Sequence, residues 1–147
     1  MSALAELAVE VDLRPATMDD AQILFDWRND AETRANSLTI VPVPWEDHCR
    51  WLKASLENPR RDLIIAEMDG KPVGTVRIDR GVGTEMSWTV SPARRVKGIG
   101  KAMVVKACPP GVVLAQIKAS NVASQRIAEH AGFRKIEDGA LQLWRRG

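Results

Sequence analysis

Between positions 85 and 102 the chain reads EMSWTVSPARRVKGIGKA, and this run restricts the fold more than any other. Its first six residues are rich in β-branched and aromatic types and predict a strand. Ser91 and Pro92 stop that strand, because proline cannot donate to a ladder. A glycine-rich turn follows and flows into the helical Ala102-Met103-Val104-Val105-Lys106. Strand, turn and helix in this order aim bare backbone N–H groups and a helix N-terminus at an anion. Gly98 and Gly100 let a ligand approach the backbone, and Arg94, Arg95, Lys97 and Lys101 surround it with positive charge. The segment predicts a pyrophosphate cradle.

A chain of 147 residues is long enough for one domain with a real core. Its net charge of +2 sets up no global field that would demand a nucleic-acid partner. The basic residues instead bunch at 94–106 and at Arg145-Arg146. Cys49 and Cys108 stand in unrelated contexts, with His48 and His130 the only histidines, so no metal site and no disulfide framework is expected. Free thiols in a reducing compartment fit better. No apolar run approaches the ~20 residues of a membrane span, and the N-terminus lacks the pattern of a signal peptide. The expected location is the cytoplasm, with neither membrane nor nucleic acid as a partner.

From the N-terminus, residues 9–14 alternate as a first strand. Thr17 with Asp20 forms a capping-box-like start for a helix reaching about Asn29. Arg28 shares the face of Ala21, Leu24 and Phe25. It either neutralises the helix dipole or points into a cleft to hold a substrate. Residues 30–37 suggest a short second helix, and 38–44, with two prolines, an irregular link. The helix from Trp45 to Leu56 carries an apolar stripe of Trp45, Cys49, Leu52 and Leu56. His48 and Trp51 lie along one edge of that stripe, as boundary residues or as the rim of a pocket. Strands at 62–68, 72–80 and 84–90 follow, joined by Asp69-Gly70 and Gly81-Val82-Gly83. They predict an antiparallel meander. After the breaker at 108–111, residues 112–117 read as a buried strand. A helix over 121–131 closes at Gly132, and a hairpin around Asp138-Gly139 ends the chain.

Two rival cradles fail. A dinucleotide fingerprint wants a small residue where Met103 stands, and a P-loop wants glycine at position 95 and Ser or Thr at position 102. Arg95-x-x-Gly98-x-Gly100 resembles instead the acetyl-CoA signature of the GNAT superfamily of N-acetyltransferases. Asn121-x-x-Ser124, running on to Gly132-Phe133, is similar to the family's second motif, and the order of elements matches from Val9 to Arg145. The resemblance implies a single α/β domain: a mixed central sheet with an antiparallel meander and helices on both faces. It also implies acetyl-CoA as co-substrate. The backbone of Val96, Lys97, Gly98, Ile99, Gly100 and Lys101, with Arg95, would hold the pyrophosphate. The pantetheine would lie where the strand 85–90 splays from 112–117, beside Asn121 and Ser124. Asn121 also fits a simple N-cap.

Direct transfer within a ternary complex follows from the resemblance. A backbone N–H near Val90 would stabilise the oxyanion. Only a neutral amine attacks, so a base is needed. Glu85 is the first candidate, and His48, whose ordinary pKa near ~6.5 suits neutral pH, is the second. The family's usual acid is a tyrosine at the position occupied by Ala128, and this chain contains no tyrosine. A thiol of pKa about 8.5 leaves tolerably well unaided, and Ser124 or water can deliver the proton later.

Leu13-Arg14-Pro15 with Asp19-Asp20, Trp27-Arg28-Asn29-Asp30, His48-x-x-Trp51 and Gly74-x-Val76-Arg77 are similar to the N-acetyltransferases of pseudaminic acid biosynthesis and related nucleotide-sugar pathways. They imply an acceptor amine on a nucleotide-linked amino sugar, held by Arg28, Asn29, His48, Trp51, Arg77 and Trp88, by a monomer or a homodimer. A protein N-terminus or lysine is the alternative acceptor. A catalytically weak CoA-binding module is a third reading, suggested by the missing tyrosine.

Overall fold

The computed structural model describes residues 9–94 and 98–147. Three of the predicted cradle residues, Arg95, Val96 and Lys97, lie outside the described residues. The elements run β1 (Asp12–Pro15), α1 (Ala21–Asn29), α2 (Ala31–Ala35), α3 (Trp45–Glu57), β2 (Arg61–Met68), β3 (Lys71–Arg80), β4 (Thr84–Val90), α4 (Ile99–Ala107), β5 (Val113–Lys118), α5 (Val122–His130), β6 (Arg134–Glu137) and β7 (Leu141–Arg146). Short 3-10 turns at Met18–Asp20 and Pro92–Arg94 lead towards α1 and α4. Among the described residues, one sheet holds all seven strands in the order β1-β2-β3-β4-β5-β7-β6. The β4–β5 pair is parallel and the others are antiparallel. The expected mixed α/β sheet with its central meander is what forms.

Local chemistry explains the meander. Asp69 and Gly70 both take left-handed conformations, φ 52 and 74, as the hairpin turn between twisted strands requires. Alternation along β2 and β3 then sorts side chains onto two faces. Val76, Ile78, Met86, Val113 and Ala115 pack under α4 and α5, with Met103, Val104 and Ala128 from the helices. Leu63 and Ile65 pack on the other face against Ala21, Leu24 and Trp27 of α1 and Leu52 of α3. Each large apolar side chain fully buried this way contributes about 1.5–3 kcal/mol.

The start of α1 is fastened to the sheet by charge. Arg14 of β1 donates two bonds to Asp20, at 2.8 and 2.7 Å, and pairs with Glu67 of β2 at 3.1 Å. Asp20 also accepts the Thr17 N–H at 2.8 Å, completing the expected capping box. The Arg14 bond, ahead of the opposing effect of burial, holds the Asp20 carboxyl below the usual carboxylate range.

Two expectations need correction. The first strand was expected over 9–14, but β1 begins at Asp12. Its pairing with β2 begins only at Asp12 opposite Glu67, and the β2–β3 register shifts beside that point, between Ala66 and Glu67. The apolar stripe of α3 is also rotated. The buried positions are His48, Leu52 and Ser55, while Trp45 and Leu56 are 43% and 36% exposed. The polar members of that face are buried because each finds a partner. His48 Nε2 donates to the Ala21 carbonyl at 2.9 Å, and Ser55 Oγ accepts from Arg61 at 2.9 Å.

Candidate active site

The sheet is not continuous at its centre. β4 and β5 pair only at Thr84 with Val113 and Glu85 with Leu114. Beyond Glu85 the strands diverge, so the edge of β4 from Met86 to Val90 that faces β5 has no strand to bond. Trp88, on the diverging part of β4, packs against the core with its ring 6.1 Å from Phe133. Its Nε1 is buried without a hydrogen-bond partner. An unpaired strand edge with a buried donor suits an extended chain carrying amide groups, such as a pantetheine arm.

At the wide end of the opening begins α4. Gly98 is its N-cap with φ 103, a left-handed conformation that side chains resist, and it offers no side-chain acceptor to the first turn. The first N–H groups of the helix are thus left to a ligand or to solvent. Lys101 sits in the same turn, half-buried. Gly100 has a different reason for being glycine. A Cβ there would run into Ile127 Cδ1 and meet Val90 Cγ2 at 3.2 Å, so it allows α4 to lie close against α5 and β4. Of the two glycines, only Gly98 shapes the turn itself.

A pocket of about 390 Å³ adjoins the opening. Its floor is the polar face of the meander. The register places Arg77 beside Ser87 and Thr75 beside Thr89, and Glu85 falls on the same side. Gln116 and Lys118 of β5 extend it. Leu24, Trp27 and Arg28 of α1, with His48 and Trp51 of α3, form one wall, and the link after α2 forms another. Asn121 and Ser124 close the side towards α5. Glu85, Arg28, Arg77, His48, Trp51, Trp88, Asn121 and Ser124, which lie far apart in the sequence, therefore share one pocket.

Their environments differ. Glu85 is exposed. His48 is fully buried and ringed by Phe25, Trp45 and Trp51, with centroids at 5.4, 6.0 and 5.8 Å. Burial, and then the nearby Arg28 cation, push its pKa below the ordinary histidine value, against the opposing effect of the Ala21 bond. Because Nε2 must donate to a carbonyl, the neutral ring leaves Nδ1 as an acceptor, and that atom is buried without a partner. Arg28 lies with its guanidinium carbon 4.8 Å from the Trp51 ring centroid, and its Nη1 is buried and unpartnered. Burial, reinforced by Arg77, disfavours its charge. Arg77 is held through Nε by Asp79 at 2.9 Å, and Asp79 in turn is bonded by Arg61 at 2.6 Å.

Asn29 stands apart from this pocket. Its amide bonds both backbone groups of Val43, at 3.0 and 2.8 Å, pinning the link between α2 and α3. Asn121 spends its oxygen on the Ser124 N–H at 3.1 Å as the N-cap of α5. Ala128 is fully buried in the core, so no proton donor reaches the site from that position. The polar floor was not foreseen, nor was Asp79 as the support of Arg77. The signal was present: Thr75, Arg77 and Asp79 alternate with Val76 and Ile78, marking a polar sheet face under a helix layer. Among the described residues no helix is long and apolar enough to cross a membrane, and no cluster could hold a metal ion.

Comparison with known proteins gives a consistent picture. The model of the Acetyltransferase (GNAT) domain family matches residues 10–134. The mycothiol acetyltransferase of Clavibacter michiganensis subsp. michiganensis is 31% identical over 95 residues, 64% of this chain. The aligned part makes up only 29% of that longer protein. Among solved structures, the aminoglycoside acetyltransferase AAC(6')-Ib, determined with paromomycin and acetyl-CoA, superposes with a TM-score of 0.77 at 18% identity. That match covers 93% of this chain and 92% of the other. The ribosomal-protein-alanine N-acetyltransferase of Brucella melitensis superposes with a TM-score of 0.73 at 23% identity, over 92% and 98% of the two chains.

Proposed function

The chain belongs to the GNAT acetyltransferase family, and on that premise we propose that it uses acetyl-CoA to acetylate the primary amine of a small molecule, a nucleotide-linked amino sugar being the favoured class. The observation that carries this reading is the walled pocket of about 390 Å³ that adjoins the β4–β5 opening. Its volume is that of a small-molecule site, and the aromatic side chains of Trp51 and Trp88 line it.

The residues present fit the donor. The uncapped first turn of α4 behind Gly98 suits a pyrophosphate, with Lys101 alongside. The edge of β4 and the orphaned Trp88 Nε1 suit the pantetheine amides. When bound, acetyl-CoA supplies an activated acetyl carbonyl on a thiol leaving group. A backbone N–H at the end of β4, near Val90, donates to the oxygen on which charge develops. Glu85, the single carboxylate among the described residues lining the pocket, takes the proton of the acceptor amine directly or through water. His48, bonded to the Ala21 carbonyl, braces α3 against α1. Ser124, which lines the pocket, would return a proton through water.

Thiol release from acetyl-CoA, followed with a panel of nucleotide-linked amino sugars, simple amino sugars and peptides, tests this. Small amines should accelerate release. Acceleration by peptides alone would transfer the assignment to a protein acceptor, and acceleration by none would leave a CoA-binding module.

A further inference from the structure

The pocket contains a cation that nothing among the described residues neutralises. Arg28 Nη1 is buried without a hydrogen-bond partner. The Trp51 face against which its guanidinium lies, at 4.8 Å, offers attraction but no hydrogen-bond acceptor. Arg77 is in a different state. Asp79 accepts from its Nε, and Arg61 bonds the other oxygen of Asp79, so the head of Arg77 is anchored by one edge while the residue lines the same pocket. The two guanidiniums lie near enough for Arg77 to disfavour the charge on Arg28. A buried cation beside a like charge is costly unless an anion joins it, and the planar fork of arginine matches phosphate and carboxylate.

We infer that the acceptor carries an anionic group, a phosphate or carboxylate, which is seated against the Arg28 guanidinium with Arg77 beside it. This rests on the acetyl-transfer reading above and narrows its substrate class. The charge balance of the lining points the same way. Among the described residues it holds Arg28, Arg77 and Lys118 against Glu85 alone. An aminoglycoside, a polyamine cationic at neutral pH, would meet repulsion here. An amine with an anionic handle is instead drawn in, its negative end towards Arg28 and its amine left for Glu85. Asp79 acts as a positioning residue, since it touches Arg77 and not the pocket.

The test compares four acceptors on the intact protein with acetyl-CoA: glucosamine, its 6-phosphate, an amino uronic acid and kanamycin. The anionic acceptors should show KM values at least tenfold below glucosamine, with phosphate and carboxylate arms telling which anion the site prefers. Arg28→Gln should remove that advantage and Arg28→Lys should restore part of it. Equal KM values for neutral and anionic acceptors, or a preference for kanamycin, would overturn the inference. Calorimetry of glucosamine 6-phosphate on protein saturated with CoA, which occupies the turn at Gly98, gives a reading independent of turnover. Binding without thiol release sinks acetyl transfer and leaves the anion site standing; no binding sinks the anion site, whatever the turnover.

Discussion

The turn into α4 and the pocket beneath α1 and α3 meet at the β4–β5 opening, yet they are built from different material. The turn works through backbone. A left-handed glycine and an uncapped helix end expose N–H groups that any sequence of the right shape would expose. The pocket works through side chains brought from four separate stretches, Arg28, His48, Arg77 and Glu85, each held by its own partner or by none. Backbone sites tolerate change around them and bind what many relatives share. Side-chain sites carry the individuality of a protein, because one substitution alters charge and shape together.

The largest effect that would sharpen this contrast is on the pocket side. Glu85→Gln should lower kcat about a hundredfold or more while leaving the affinity for acetyl-CoA near that of the parent. Steady-state kinetics with a titration of CoA would read both, and unchanged kcat would move the base elsewhere. On the turn side, Gly98→Glu should weaken CoA binding by roughly tenfold, by putting negative charge at the helix N-terminus. Gly98→Lys carries the same backbone strain with the opposite charge, so equal losses in both would attribute the effect to strain alone. Two positions on, Gly100→Val should act chiefly on stability, by about 1–3 kcal/mol, because the new side chain strikes Ile127 and Val90. Denaturant unfolding would register it.

The smallest effect concerns His48. Its pKa in the folded chain is depressed, mainly by burial, so below its ordinary value of about 6.5 the unfolded chain takes up a proton that the folded chain resists. The stability from the neutral ring is complete above that pH and is lost as pH falls through it towards the depressed value. The melting temperature of the parent should therefore fall a few degrees further between pH 7.5 and pH 5 than that of His48→Gln. Parallel curves would show that the ring does not titrate differently on unfolding.

Why the fold was more legible than the site follows from particular residues. Asp69-Gly70 and the alternation on either side of it are local signals, and the meander formed where they point. Gly132, in a left-handed conformation at φ 91, ends α5 as its position suggested. The α3 stripe misled because hydrophobicity alone ranks Trp45 above His48. Burial there was decided by the Ala21 carbonyl, 27 residues away in sequence, which gives the imidazole its partner. Gly100 looked like a ligand-facing glycine, and only the approach of Ile127 from another helix shows what its missing side chain makes room for.

The sequence by itself determined the strand–turn–helix around Gly98, the order of strands and helices, the absence of a tyrosine at position 128, and the family to which these belong. Each depends on neighbours within a few positions or on residue type alone. Tertiary structure decided that β4 and β5 part after Glu85, that Asn29 and Asn121 serve the backbone, and that Arg28 lies over Trp51 without a counter-ion among the described residues. Those depend on contacts between distant segments, where packing and desolvation set which polar group is satisfied and which is left for a ligand.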